Sequence, residues 1–245
     1  MLNMKKPSKK LIETADQFFI ESVKNKYSYN FHWLSRPIIQ YPQDIVAFQE
    51  IVWKVKPDLI IETGIAHGGS LVLSASLLAL IDYSEALESG SLMDPKNPKR
   101  KVIGIDIDIR QHNRDALDSN PFRNRMVLIE GSSIEKGVVS QVYNHAEKKK
   151  SVLVCLDSNH THDHVLEELN AYSKLVTVGS YCIVFDTVID DLPEKLSSDR
   201  SWGKGNSPKS AVQEFLSSNN DFVVDKSIQD KLMLTVAPEG YLKKI

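Results

Sequence analysis

Cysteine is scarce. Two in 245 residues leave no room for a disulfide-rich scaffold. Both, Cys155 and Cys182, sit inside apolar runs that read as strands, the place of buried thiols rather than of a bridge or a nucleophile. An excess of one charge is missing too. Thirty Lys and Arg against 32 Asp and Glu leave a net charge of −2, so no basic field is expected to draw in nucleic acid. No run reaches the roughly 18 apolar residues of a membrane span, and the basic opening MLNMKKPSKK lacks the apolar segment of a signal peptide. These absences predict a cytoplasmic protein without a membrane span. The chain also lacks G-x-G-x-x-G and lacks a glycine-rich loop closed by G-K-[ST], which excludes the dinucleotide fingerprint and the P-loop. No internal repeat is present.

What is present is an ordinary globular composition, 42% hydrophobic and 25% charged, with a clear rhythm. Five short apolar runs follow one another: DLIIE (58–62), KVIGIDID (101–108), RMVLIE (125–130), SVLVCLD (151–157) and SYCIVFD (180–186). Between them the spacing predicts helices over 70–81, 134–150 and 164–176, the last with Val165, Leu169, Tyr172 and Val176 on one face. Ahead of the first run, Ile45, Phe48, Val52 and Val55 share one face of a helix that Pro57 stops. A helix near 211–217 and two close strands, DFVVD and LMLTVAP, follow the fifth run and suggest an antiparallel edge. Stretches 87–101 and 196–210, rich in Ser, Gly, Pro and charge, read as loops. The alternation predicts an α/β fold: a seven-stranded, mainly parallel sheet covered on both faces.

Each of the five runs ends in, or is soon followed by, a polar or acidic residue: Glu62, Asp106, the EGS of 130–132, Asp157 and Asp186. Ligands of open α/β sheets bind at the carboxyl ends of the strands, so these residues are expected around one crevice. In IIETGIAHGGS (60–70) a strand, an acid, a glycine turn and a helix succeed one another, a layout that brings backbone N–H groups close to a ligand. Glu62 beside that turn repels phosphate and attracts an ammonium or hydroxyl, which favours a cationic cofactor. The alternative is a tight turn without a ligand. Asp106 stands where a ribose diol is usually held. Ser132 or Ser133 caps the following helix or touches an adenine.

The stretch CLDSNHTHDH (155–164) sets histidines at 160, 162 and 164. A metallo-β-lactamase-type site needs H-x-H-x-D-H. This stretch is one residue short, and no histidine follows His164 to complete a ligand set. On a helix starting near 161 the three imidazoles would fan out. His160, nearest to the strand end at Asp157, is either a general base or a loop histidine holding backbone.

Glu62-Thr-Gly, Asp106, Ser132, Ser133, Asp157 and Asp186 at successive strand ends resemble a class I S-adenosylmethionine-dependent methyltransferase, with its Rossmann-like fold. YNFHWLSRPIIQYPQD, ETGIAHGGS, GIDIDIR, LDSNHTHDHV and WGKGNSPKSAV together resemble the cephalosporin hydroxylase family, related to rhamnosyl O-methyltransferases, from about Tyr27 to the end. The resemblance implies O-methyl transfer from S-adenosylmethionine to a hydroxyl on a small molecule or glycan sugar. It implies that Glu62, Gly64, Gly68 and Ser70 surround the cofactor's methionine part, Asp106 its ribose and Ser133 its adenine, with Asp157 alongside. It implies a Mg²⁺ ion on Asp157 and on an acid pair after the fifth strand. That pair reads Phe185-Asp186 here, so one carboxylate is replaced, with Thr187 and Asp190 as compensating candidates. His160 and Asp157 are the expected catalytic residues. Tyr27, His32, Trp33 and Trp202 are the expected substrate contacts, since flat aromatics suit sugars; packing at a subunit interface is the alternative for the tryptophans. Residues 1–40 are expected to form an N-terminal helical extension with a substrate-side loop, residues 41–245 the methyltransferase domain. Homo-oligomerisation is expected from the apolar content. A hydroxylase, as the family name suggests, and a cofactor-binding protein without catalysis are the competing functions.

Overall fold

The computed structural model describes residues 7–245. The first six residues of the basic opening lie outside them. Helix α1 (Lys9–Lys24) starts at Ser8, whose side chain accepts from the Leu11 N–H. A single turn leads into the hairpin of β1 (Phe31–Trp33) and β2 (Arg36–Ile38). Helix α2 (Pro42–Val55) begins with proline, whose missing N–H costs nothing there, and ends at Lys56 in the left-handed region just before Pro57.

From there the strand–helix alternation runs as expected. Strand β3 (Leu59–Thr63), helix α3 (Gly69–Ser89), β4 (Lys101–Asp106), α4 (Gln111–Asp118), β5 (Met126–Glu130), α5 (Lys136–Ala146), β6 (Val152–Leu156), α6 (His162–Tyr172) and β7 (Tyr181–Val184) follow in order. They are completed by α7 (Pro208–Ser218), β8 (Phe222–Val224), α8 (Lys226–Leu232) and β9 (Tyr241–Lys244). The seven-stranded sheet has the order β5-β4-β3-β6-β7-β9-β8. Only β9 runs against its neighbours.

The central strands are buried on both faces, so their residues alternate between two cores. Ile60, Leu153 and Ile183 pack on one face with α2 and α3; Leu59, Ile61, Val152, Val154 and Leu156 pack on the other with α5, α6 and α7. Burial on both faces explains the unbroken apolar runs of the sequence. Helix α3 is long and apolar enough, by composition, to cross a bilayer, yet half of its apolar window is buried against the sheet as a core helix.

Two expectations about the elements need correction. Helix α3 continues to Ser89, eight residues past the predicted end, and takes the first residues of the expected 87–101 loop with it. LMLTVAP is not a strand. After α8 its backbone is irregular: the Val236 N–H donates to Asp44 Oδ2 at 3.0 Å, and Leu234 and Val236 pack against the cluster under α1. A buried carboxylate on α2 takes the Val236 N–H, and the Val236 carbonyl accepts from the Val188 N–H at 3.2 Å. Strand β9 forms later, over Tyr241–Lys244.

Helix α1 does not stand apart. Phe19 stacks on Tyr41 at 4.9 Å and meets Ile189 and Leu192, which follow β7. The extension therefore forms a wall beside the carboxyl end of the sheet.

Candidate active site

The strand ends open into a cleft of about 730 Å³. The turn after β3, residues 157–160 after β6 and Asp186 after β7 form its inner part. The turn after α1 and the loop around Trp202 form its outer part. A second hollow of about 220 Å³ lies beside it, lined by Asp106, residues 131–133 and His164. The two share Gly64, Ala66, Asp157 and Ser158 and thus form one groove along the sheet edge.

The glycine turn is held from three sides. Asp106 Oδ2 accepts from the N–H groups of Ile65 and Ala66 at 2.8 and 3.1 Å. Asn113 Nδ2 donates to the Ala66 carbonyl at 2.8 Å. Arg36, on the hairpin, donates through Nε to the His67 carbonyl at 2.9 Å and through Nη2 to Asn113 Oδ1 at 2.9 Å. Gly64 cannot be anything else. Its φ is +86°, and a Cβ there would stand 2.1 Å from the Asp157 carbonyl oxygen. That contact presses the turn after β3 against the end of β6.

Glu62 is the next-to-last residue of β3, beneath the turn. It is fully buried, and its carboxylate accepts from the hydroxyls of Ser70 and Ser74. Burial pushes its pKa up to about 7, against the opposing pull of those two hydrogen bonds. Glu62 faces a small interior space shared with Ser70 and Asp157 rather than the open cleft. Gly68, with φ +83°, faces Leu117: a Cβ would meet that side chain at 2.8 Å. The structure thus gives Gly68 a turn-forming and packing place instead of a cleft-lining one. Ser70 lines the cleft. Ser133 lines the second hollow, its hydroxyl 3.0 Å from His164 Nε2.

Asp157, His160 and Asp186 come together. One potential ligand atom from each lies within 4.8 Å of the others, and His160 Nε2 is 3.5 Å from Asp186 Oδ2. Asp186 adopts the left-handed region at φ 56°, a conformation that aspartate tolerates better than most residues and that is common at functional sites. Gln40 Nε2 donates to Asp157 Oδ2 at 3.3 Å, across 117 residues of sequence. The Asp157 carboxyl is pushed well above the usual range, first by burial, then by the carboxylates of Asp186, Glu62, Glu168 and Asp44. No Lys or Arg among the described residues pairs with Asp157 or Asp186. Two carboxylates and an imidazole that lack a cationic partner fit a divalent ion.

The other two histidines of the 155–164 stretch point elsewhere. His162 bonds Ser210 Oγ at 2.8 Å and Glu214 Oε2 at 3.1 Å on α7; His164 lies between the hydroxyls of Ser133 and Ser158. A three-histidine metal site is therefore not formed. Neither compensating candidate joins Asp186. The Thr187 hydroxyl donates to the Pro238 carbonyl at 2.7 Å, and Asp190 accepts from the Gly205 N–H at 2.7 Å and from the Ser207 hydroxyl. His160 stands with the carboxylates instead. Phe185 is buried in the core beside β7.

Tyr29, of the expected N-terminal substrate-side loop, lines the cleft, and of Tyr27, His32, Trp33 and Trp202 so does Trp202. Its ring lies 4.5 Å from that of His160. Trp33 turns to α3, where Nε1 donates to Ser76 Oγ at 3.0 Å. Tyr27 packs edge-on against Phe18 and Phe31 under α1, and His32 is exposed on the hairpin. The hairpin pairs its backbone, so alternate side chains face α3 and solvent rather than the site. Gln40, Arg36 and Asn113 carry no sequence signal of their own, because their partners are distant in the chain.

The profile of the family described as Rhamnosyl O-methyltransferase/CmcI matches residues 25–245. The Rhamnosyl O-methyltransferase of Mycobacterium tuberculosis (strain ATCC 25618 / H37Rv) is 28% identical over 202 residues, 81% of this chain and 72% of that protein. The Rhamnosyl O-methyltransferase of Mycobacterium leprae (strain TN) is 24% identical, over 86% of this chain and 81% of that one. Among solved structures, an apo structure of CmcI superposes with a TM-score of 0.55 at 16% identity, over 89% of this chain and 77% of that one. A CmcI structure titled with Mg and SAM gives 0.54 at 16% identity over the same shares. An O-methyltransferase from Bacillus cereus in complex with SAH gives 0.53 at 15% identity, over 89% and 83%.

Proposed function

The chain belongs to the rhamnosyl O-methyltransferase/CmcI family and is an S-adenosylmethionine-dependent O-methyltransferase, and from that premise we propose that its acceptor is a hydroxyl of a sugar ring. The observation that carries this reading is the meeting of Asp157, His160 and Asp186 beside the glycine turn, with the Trp202 ring over the imidazole.

When bound, the cofactor supplies an electrophilic methyl on a sulfonium. The chain's own residues do the rest. The groove lined by Asp106 and Ser133 takes the nucleoside end, and the turn held by Asp106, Asn113 and Arg36 keeps its backbone fixed beside the methionine end. Ser70 lines the cleft beside that turn, and Glu62 behind it holds the Ser70 hydroxyl. Trp202 contributes apolar ring surface to the wall of the cleft. The acceptor hydroxyl must lose its proton as the O–C bond forms and the methyl–sulfur bond breaks, the electron pair of that bond leaving with the sulfur. With Nε2 of His160 turned toward Asp186, Nδ1 is the nitrogen left to take that proton, and Asp186 stabilises the imidazolium. A divalent ion held by Asp157, His160 and Asp186 would occupy the imidazole's acceptor nitrogen and would supply a lowered hydroxyl pKa and a fixed orientation in place of proton uptake by His160. Proximity and in-line alignment in the groove supply a large part of the acceleration.

A hydroxylase with a two-histidine, one-carboxylate iron site finds no support, since only one of the three clustered histidines joins the carboxylates. The test is transfer of a labelled methyl group from S-adenosylmethionine to a simple rhamnoside. Label on the sugar with the wild type and none with Asp157→Ala supports the reading. Label that appears equally with both proteins overturns the assigned site, and no label on any sugar overturns the acceptor class.

A further inference from the structure

Four cations line the cleft: Lys24, Lys26, Lys195 and Arg200. They come from two separate parts of the chain, the end of α1 with its following turn and the loop before α7. All four are exposed, whereas Asp157, His160 and Asp186 are half-buried, so the cations mark the mouth and the acids the floor. Asp199 is the single carboxylate among the exposed residues lining the cleft. Lys24 already pairs with Glu21 at 2.5 Å. Lys26, Lys195 and Arg200 form no ion pair among the described residues. The chain as a whole is slightly acidic, so this positive field is local.

Arg200 is also pre-ordered. Its Cζ lies 4.6 Å above the Trp202 ring, whose centroid lies 4.5 Å from that of His160. Stacking uses the face of the guanidinium and leaves its in-plane N–H fork available for two oxygens of one anion. Asp186, His160, Trp202 and Arg200 thus follow one another in a line of successive contacts from floor to mouth. A neutral sugar would make no use of the last member of that line.

We infer that the mouth of the cleft binds a phosphate carried by the acceptor, which makes the substrate a sugar mono- or diphosphate, methylated on a ring hydroxyl before the sugar is transferred onward. The inference rests on the proposed sugar acceptor. The competing explanation is that the cations only balance the acidic floor. In that case they would bind no anion of their own.

The experiment is calorimetric titration of inorganic pyrophosphate into the full-length protein saturated with S-adenosylhomocysteine. It is run at fixed ionic strength with EDTA, so that pyrophosphate does not act by chelating a divalent ion. Wild type, Arg200→Gln, Arg200→Lys and Lys195→Gln are compared, with acetate as the control anion and thermal melting as the control for folding. Pyrophosphate should bind the wild type. The affinity should fall about tenfold in Arg200→Gln, and by less in Arg200→Lys, which keeps the charge but loses the fork. S-adenosylhomocysteine affinity should be the same in all four proteins. Pyrophosphate binding no tighter than acetate, or equal in wild type and Arg200→Gln, overturns the inference while leaving the methyltransferase reading intact. Wild type that fails to bind S-adenosylhomocysteine overturns the underlying cofactor reading instead. Sedimentation with phosphatidylglycerol vesicles that depends on Arg200, without pyrophosphate binding, assigns the phosphate to a lipid surface and also overturns the inference.

Discussion

Replacing Glu62 by Gln should change how the stability of the apo protein depends on pH. The wild-type carboxyl is fully buried, and burial raises its pKa from 4.5 to about 7. A raised carboxylate pKa means that the folded state binds the proton more tightly than the unfolded chain. Stability from this group is therefore complete below pH 4.5 and is lost as the pH climbs through 7. The shift amounts to roughly 3 kcal/mol over that window, taking about 1.4 kcal/mol per pKa unit. Glutamine keeps the shape and an acceptor for Ser70 and Ser74 but cannot ionise. Urea unfolding of both proteins between pH 5 and 8 should show the wild type losing stability relative to Glu62→Gln as the pH rises. Any cost of placing the amide is a constant offset and leaves the slope difference untouched. Asp44, also raised by burial, to about 6, contributes the same slope to both proteins and cancels. Parallel pH profiles would refute the reasoning, because Glu62 would then be ionised in the fold across the whole range.

Gly64→Ala should destabilise the protein by about 2–4 kcal/mol, the sum of a left-handed alanine and a Cβ driven into the Asp157 carbonyl oxygen; chemical denaturation would show it, and a variant as stable as the wild type would mean the turn is not clamped as described. Trp202→Ala, on a partly exposed loop, should leave the melting temperature nearly unchanged and raise the KM for a sugar acceptor about tenfold, with the KM for S-adenosylmethionine unchanged. An equal rise in both constants would place the ring outside the acceptor's path. Metal stimulation, measured after chelator treatment, should rank Mn²⁺ or Co²⁺ above Mg²⁺ and should lose that ranking in His160→Ala, because an imidazole among the ligands suits softer ions.

The architecture was legible in the sequence because burial on both faces leaves an unmistakable trace. Strands β3, β4, β6 and β7 are nearly unbroken apolar runs, and groove residues stand at or just past the ends of β4, β6 and β7: Asp106, Asp157 and Asp186. The last strand was not legible. LMLTVAP alternates like a strand, yet its Val236 N–H goes to the Asp44 carboxylate, nearly 200 residues away, and no local pattern reports that. The aromatic hairpin misled for a related reason. Trp33 and Tyr27 have the composition of a sugar platform, but one hydrogen bond to Ser76 and one cluster under α1 turn both rings inward. Composition tells what a side chain can do; only the pairing of the backbone tells which way it faces.

The replacement of an acid by Phe185 follows the same logic. Read along the chain, it removes a ligand that the family pattern leads one to expect, and the natural search is for an acid or hydroxyl close by. Thr187 and Asp190 are close by, but each already holds backbone: Thr187 the carbonyl of Pro238, Asp190 the turn that starts α7. Removing either from that duty would leave a buried polar group unmatched. His160 is close in space because β6 and β7 are neighbours and both stop at the same level, with Asp157 and Asp186 at their ends. Four residues past the end of β6 are enough for the chain to bring an imidazole across to Asp186. A parallel sheet thus offers a missing side chain two sources, the same strand end and the adjacent one. At this site the available ligand is found on the adjacent strand, in the same short stretch whose other two histidines hold helices α6 and α7 in place.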